Sequence, residues 1–160
     1  MRIIASTLAL VAFAAACAPA RRAPAASDPL TGFRYLVGTW NCTFTGGRTR
    51  MTYKAHYAYD LENNWMRETD AWAGGGGDVA MFTYERKRHG WTAVVVENER
   101  TTAVFHGTGN DPDRIVYRSV LPDTSMTERF ERNSPARYVV NFSQSAHGAK
   151  VKSTDVCVKA

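Results

Sequence analysis

Several features are scarce in this chain of 160 residues, and their scarcity excludes whole classes of protein. After residue 36 no window places apolar residues at helical spacing between capping residues, which argues against a helical fold. The longest basic run is Arg86-Lys87-Arg88, and the 20 Lys and Arg are spread among 15 Asp and Glu. Without a continuous basic stripe, the sequence predicts no nucleic-acid partner.

Catalytic motifs are missing as well. The chain contains no G-x-S-x-G, H-E-x-x-H, P-loop or dinucleotide-binding fingerprint. Its three cysteines show no zinc-site spacing. The run from Gly74 to Gly77 lacks the Lys-Ser/Thr of a phosphate loop and is interpreted as a hairpin loop. The sequence leaves enzymatic activity open but favours a binding protein, and it predicts no catalytic residue, metal or cofactor.

The N-terminus has the pattern of an export signal. Arg2 precedes an apolar run of 14 residues, Ile3 to Ala16, and small residues follow, which predicts a signal peptide over residues 1–20. The run is too short to cross a bilayer. Ala14-Ala15-Ala16-Cys17 resembles the lipobox of bacterial lipoproteins, with Ala14 in place of the usual Leu, and this resemblance implies lipidation of Cys17. Cleavage at an A-x-A site, Ala14–Ala16 or Ala18–Ala20, is the alternative.

Residues 18–28 are rich in Pro and Ala, as expected of an extended tether, although a frayed N-terminus would look similar. We therefore expect a protein exported to the periplasm or cell envelope. It would touch the membrane only through an N-terminal lipid anchor. The folded domain would span residues 29–160 and exist as a monomer or weak dimer.

Apart from Cys17, the cysteines form one pair near the two ends of the folded part. Cys42 and Cys157 are predicted to form a disulfide, because an exported protein meets an oxidising compartment. Two reduced core cysteines are the alternative.

From residue 36 onward, polar and apolar residues alternate between turn signals. This pattern predicts ten strands, at about residues 36–45, 50–59, 64–72, 78–86, 90–97, 100–106, 113–121, 125–132, 137–144 and 149–158. A short helical turn is expected at 29–35, capped by Ser27 or Asp28. Short loops make neighbouring strands antiparallel, and closure removes both exposed edges. The predicted fold is a closed, all-β, up-and-down barrel of about ten strands, which would also bring Cys42 beside Cys157.

The alternation places aromatic side chains and a few hydroxyl groups on the inner face of the barrel. It also places one or two carboxylates there, Glu128 and Asp155. On the third strand, Trp65, Arg67 and Thr69 compete with Met66, Glu68 and Trp72 for the inner face. A ten-stranded barrel is wide enough to leave a cavity. The residues predicted to line it and bind a ligand are Trp40, Tyr53, Tyr57, Tyr117, Glu128, Tyr138 and Phe142.

Gly38-Thr39-Trp40 resembles the G-x-W motif that opens the first strand of calycins, the superfamily of lipocalins, fatty-acid-binding proteins and nitrobindin-like barrels. Phe33 to Trp40, the ten predicted strands and the export signal resemble bacterial lipocalin-like domains grouped as a domain-of-unknown-function family numbered 1579, and the likeness covers residues 29–160. Lipocalins commonly stack an Arg of the last strand on the motif Trp, whereas this last strand offers Lys150, Lys152 and Lys159.

The expected function is therefore the binding of a small apolar or amphipathic molecule in the cell envelope. A structural or interaction module with a packed barrel is one alternative. A haem-binding, nitrobindin-like barrel is another, and His106, which follows Ala103-Val104-Phe105, is its candidate ligand.

Overall fold

In a computed structural model of the protein, the described residues are 28–97, 102–121, 125–146 and 149–160. The predicted signal peptide, Cys17 and residues 18–27 of the predicted tether lie outside this range. Within it, no helix is long and apolar enough to cross a membrane.

Ten antiparallel strands form one closed barrel, and each strand pairs with its neighbours in the chain while the first pairs with the last. The predicted fold class is confirmed. The strands are β1 (Gly38–Gly46), β2 (Thr49–Asp60), β3 (Trp65–Trp72), β4 (Asp78–Glu85), β5 (Gly90–Glu97), β6 (Thr102–Thr108), β7 (Arg114–Leu121), β8 (Met126–Ser134), β9 (Arg137–Ala146) and β10 (Ala149–Lys159).

A 3₁₀ helix, Pro29–Leu36, closes the end of the barrel at which β1 begins. The Asp28 side chain accepts a hydrogen bond from the Leu30 N–H at 3.0 Å and so caps the helix. Gly38 joins helix to strand at φ +113°, a conformation that residues with a Cβ rarely adopt. The short helix is therefore fixed at both ends, which holds its apolar side chains across the barrel end.

Aromatic rings fill this closed end. Phe33 of the helix is 2% exposed and contacts Phe82, Trp91 and Phe130 edge-on, with ring centroids 5.1, 4.9 and 6.1 Å away. Trp40 is completely buried, and its indole N–H donates to the Leu36 carbonyl at 2.6 Å. These contacts form an apolar floor beneath the barrel interior.

The seam between β1 and β10 closes the barrel, and the predicted disulfide crosses it. Cys42 lies directly opposite Cys157 in the register, with Cα atoms 4.1 Å apart, and the two are bonded. The last residue joins the seam, because the Ala160 N–H donates to the Thr39 carbonyl at 3.0 Å.

A lysine of β10 also lies over the seam. The Lys159 ammonium is 5.2 Å from the ring centroid of Trp40 and donates to the carbonyls of Tyr35 and Val37 at 2.7 and 3.0 Å. A cation of the last strand thus covers the tryptophan of Gly38-Thr39-Trp40 and ties the helix end to the barrel.

Candidate functional site

The interior of the barrel contains a cavity of about 550 Å³. Phe33 forms its floor, and its mouth lies at the opposite end, beside the β1–β2 turn at Gly46 and Gly47. Sites for small organic ligands typically measure about 300–1,000 Å³. The cavity therefore has the size of a small-molecule site.

Most of the residues predicted to line this cavity do so, but Trp40 does not. Those in the wall are Tyr53, Tyr57, Tyr117, Glu128, Tyr138 and Phe142. The alternation along its strand predicts an inward position for Trp40. It faces inward, but it lies at the closed end, bonded to Leu36. It supports the floor without bordering the cavity.

A hydrogen-bonded chain crosses the deep part of the cavity. The Tyr57 hydroxyl donates to Glu68 Oε1 at 2.5 Å and lies 2.7 Å from the Tyr138 hydroxyl. Since Tyr57 uses its proton on Glu68, Tyr138 donates to Tyr57. Burial first, and then the nearby Glu68 carboxylate, raise the pKa of both tyrosines well above the usual value. Both hydroxyls therefore remain neutral donors.

A second pair lies beside the disulfide. The Tyr53 hydroxyl donates to Asp155 Oδ1 at 3.1 Å and is 3.9 Å from Cys157 Sγ. The Tyr138 hydroxyl is 3.7 Å from Cys42 Sγ. The crosslink thus supports the wall from which two cavity tyrosines project.

The interior is more acidic than the sequence predicted. Carboxylates on five different strands border the cavity, at Glu68, Asp70, Asp78, Glu97, Glu128 and Asp155. The expectation of one or two, Glu128 and Asp155, was wrong by omission. The sequence left the face of Glu68 open on the ambiguous third strand. It did not predict Asp70, Asp78 and Glu97 as cavity residues, because alternation usually places charged residues on the surface.

The structure resolves the ambiguity of β3. Its inner face carries Met66, which is fully buried, followed by Glu68, Asp70 and Trp72. The signal for this choice is cross-strand register, because inward-facing Tyr57 lies directly opposite Glu68. Sequence alternation along β3 alone could not supply that signal, since both of its faces carry a tryptophan and a charged residue.

Asp70 and Asp78 lie close together on β3 and β4. Burial raises the pKa of both carboxyl groups. A hydrogen bond between the two side chains adds to the rise for Asp70 and opposes the rise for Asp78, as expected when Asp70 holds the proton. Gly77 allows this approach, because a Cβ there would lie 1.9 Å from the Asp70 carbonyl oxygen. The other oxygen, Asp70 Oδ1, is buried and has no hydrogen-bond partner within the described residues.

Burial is the largest cause of the raised pKa values of these cavity acids, and repulsion by neighbouring carboxylates adds to it. The pKa is raised to about 8 for Glu68, about 10 for Asp70, about 7 for Glu128 and about 6 for Asp155. The hydrogen bonds from Tyr57 and Tyr53 oppose the rise for Glu68 and Asp155, respectively. Carboxyl groups of the cavity, Asp70 and Glu68 above all, therefore hold protons at neutral pH.

Positive charge is sparse around the cavity. Within residues 28–97, 102–121, 125–146 and 149–160, the basic side chain bordering it is Lys152, exposed near the mouth. No histidine of these segments borders it. The same segments contain no group of three His, Cys, Asp or Glu side chains that could hold a metal ion.

His106, the candidate haem ligand, lies outside the barrel. Its neighbours Phe105 and Gly107 point inward and are buried, so His106 faces outward, where its Nε2 is 3.2 Å from an Arg88 guanidinium nitrogen. The prediction of an in-barrel position for His106 was wrong. The three residues before His106 are all apolar, so the sequence shows no polar–apolar alternation from which the face of His106 could be assigned.

No protein-family profile matches this chain, and no curated protein is significantly similar to it. The binding properties of the cavity are therefore inferred from the side chains that line it. Neutral hydroxyls and carboxylates can orient a polar head, and aromatic and aliphatic walls can enclose an apolar body.

Proposed function

We propose that this protein is an exported, calycin-like barrel that binds one small amphipathic molecule in its cavity. The observation that carries the proposal is the cavity itself, about 550 Å³ with aromatic walls and convergent tyrosine and carboxylate groups. A purely structural barrel, the first alternative, would fill this space with side chains. The outward position of His106 disfavours haem held through that residue.

Two further observations support the cellular side of the proposal. The Cys42–Cys157 disulfide is the kind of bond that persists in oxidising compartments outside the cytoplasm. The position of Lys159 over Trp40 supports the calycin resemblance, which gives that place to an arginine. Export of the chain and lipidation at Cys17 remain parts of the proposal, to be tested on the mature protein.

Titration with N-phenyl-1-naphthylamine, a neutral dye that fluoresces in apolar surroundings, tests the binding function. We expect saturable binding of one dye per protein. The Val140→Trp substitution fills space inside the cavity, because Val140 borders it. This variant should bind the dye at least about tenfold more weakly, a change of about 1.4 kcal/mol.

The matched control is Val139→Trp, which adds the same ring to the adjacent, outward position of β9. It should bind the dye as the natural protein does. Circular dichroism of both variants checks that the barrel is intact. Unsaturable dye binding, or equal binding by an intact Val140→Trp variant, would contradict the proposal.

A further inference from the structure

We propose that the cavity selects an amphipathic organic cation, an amine or quaternary ammonium group carried on an apolar chain or ring. This inference rests on the binding function proposed above and specifies the chemical class of its ligand.

The first argument is charge balance. Six carboxyl groups border the cavity, and the basic side chain that borders it within the described segments is Lys152, exposed at the mouth. An anionic head group entering this space would meet the carboxylates that are ionised at pH 7.5, among them Glu128 and Asp155, in an environment that screens charge poorly. A cation would be attracted to them and would favour ionisation of the other carboxyl groups.

The second argument is the lack of internal partners. Within the described segments, no hydrogen bond or ion pair joins Glu128 to another side chain, and Glu128 is half-buried in the wall of the cavity. Asp70 Oδ1 is also buried without a partner. A buried charge without an opposite charge nearby is costly. A bound cation would supply that opposite charge, and a protonated amine would in addition donate hydrogen bonds.

The third argument is the aromatic environment of Glu128. In the barrel register Tyr117 of β7 lies directly opposite Glu128 on one side, and Phe142 of β9 lies opposite on the other. Directly opposed side chains have Cβ atoms about 4.5–5.5 Å apart. A carboxylate between two aromatic rings can bind an ammonium group, because the carboxylate attracts the positive charge and the ring faces attract it through cation–π interactions.

The remaining wall fits an apolar body. Ala80, Phe82, Val95, Phe130 and Val140 border the cavity and present no polar side-chain atoms. A ligand with its cation near Glu128 would therefore place its hydrocarbon against apolar side chains.

Isothermal titration calorimetry with three ligands of equal chain length tests the inference. Decyltrimethylammonium, 1-decanol and decyl sulfate carry positive, zero and negative charge. The two ionic ligands are used below their critical micelle concentrations and the alcohol below its solubility limit. At pH 7.5 we expect the cation to bind at least about tenfold more tightly than the alcohol. We expect no saturable binding of the sulfate. The permanent charge of the quaternary ammonium keeps ligand protonation out of the comparison.

Variants then locate the selectivity. Glu128→Gln should reduce the affinity for the cation about tenfold or more and leave the affinity for the alcohol unchanged. Glu131→Gln is the matched control, because Glu131 lies on the outer face of the same strand, near Arg129. Glu131→Gln should change neither the affinity for the cation nor the affinity for the alcohol. Asp155→Asn provides a second cavity variant, and dye binding confirms that each variant keeps its cavity.

The outcomes separate the two proposals. If the alcohol and the neutral dye bind but the cation binds no more tightly than the alcohol, the proposed cation selectivity is wrong while the binding function stands. Tighter binding of decyl sulfate than of the cation would also overturn the selectivity. If neither the dye nor any of the three ligands binds, the binding function itself fails.

Discussion

Removing the Cys42–Cys157 crosslink should lower the free energy of unfolding by about 5 kcal/mol. The two cysteines are 115 residues apart in the sequence. In the chain-entropy account, a crosslink closing a loop of that length restricts the unfolded chain by about 4.8 kcal/mol at 25 °C. That is comparable with the whole stability of many domains of this size.

The folded barrel should nevertheless stay closed without the bond. β1 and β10 pair along a register that extends from Trp40 opposite Lys159 to Gly46 opposite Ser153. Those backbone hydrogen bonds close the seam independently of the sulfur atoms. We therefore expect a less stable protein with the same circular dichroism spectrum and the same dye-binding stoichiometry.

A double-mutant cycle isolates the crosslink from packing. Cys42→Ala and Cys157→Ala each lose the whole crosslink together with one buried sulfur, and the double variant loses the crosslink and both sulfurs. The sum of the two single losses minus the double loss is therefore the crosslink energy. Urea unfolding of the four proteins, followed by tryptophan fluorescence, measures each term.

A coupling energy below about 1 kcal/mol would refute the reasoning that the bond acts on the unfolded chain. Loss of stoichiometric dye binding by the double variant under native conditions would refute the separate argument that hydrogen bonds alone close the seam.

Three other properties can be tested on the same preparation. Burial raises the pKa of Glu128 from 4.5 to about 7, so the folded protein binds more protons than the unfolded chain between those values. The free energy of unfolding measured in urea should fall as pH rises from 5 to 8. The fall should be less steep for Glu128→Gln, and for Glu131→Gln it should be as steep as for the natural protein. Lys159→Met should lose about 1 kcal/mol in urea unfolding through its contacts at the closed end, and the exposed control Lys152→Met should lose little. Mass spectrometry of the mature N-terminus should find an acylated Cys17, and an unmodified start at that residue or beyond it would exclude lipidation.

Much of the architecture could be predicted from the sequence because it rests on local signals. Alternation with period two and turn residues give the number and approximate limits of the strands, and Asp28 before Pro29 marks the helix start. The pairing of Cys42 with Cys157 was predicted from the cysteine count and the export signal, and closure of the barrel brings the two residues together. The face of Tyr57 was also predictable, since its neighbours on β2 alternate cleanly.

The acidic interior could not be predicted in the same way. Alternation rules assume that a charged side chain seeks bulk water, but Glu68 and Asp70 face a cavity that is neither bulk water nor packed core. Their faces are decided by register with the neighbouring strand, in which Tyr57 opposes Glu68. The register of two paired strands depends on the hairpin that joins them and is not visible within one strand.

The position of the 3₁₀ helix has a consequence for how the barrel could be presented in a cell envelope. The chain reaches the barrel at Asp28, beside the closed end, whereas the mouth lies beside Gly46 and Gly47 at the other end. Any attachment upstream of Asp28 therefore holds the barrel by its floor. The mouth of the cavity therefore lies at the end of the barrel opposite the point at which an upstream anchor would be attached, so the attachment itself does not obstruct entry of a ligand.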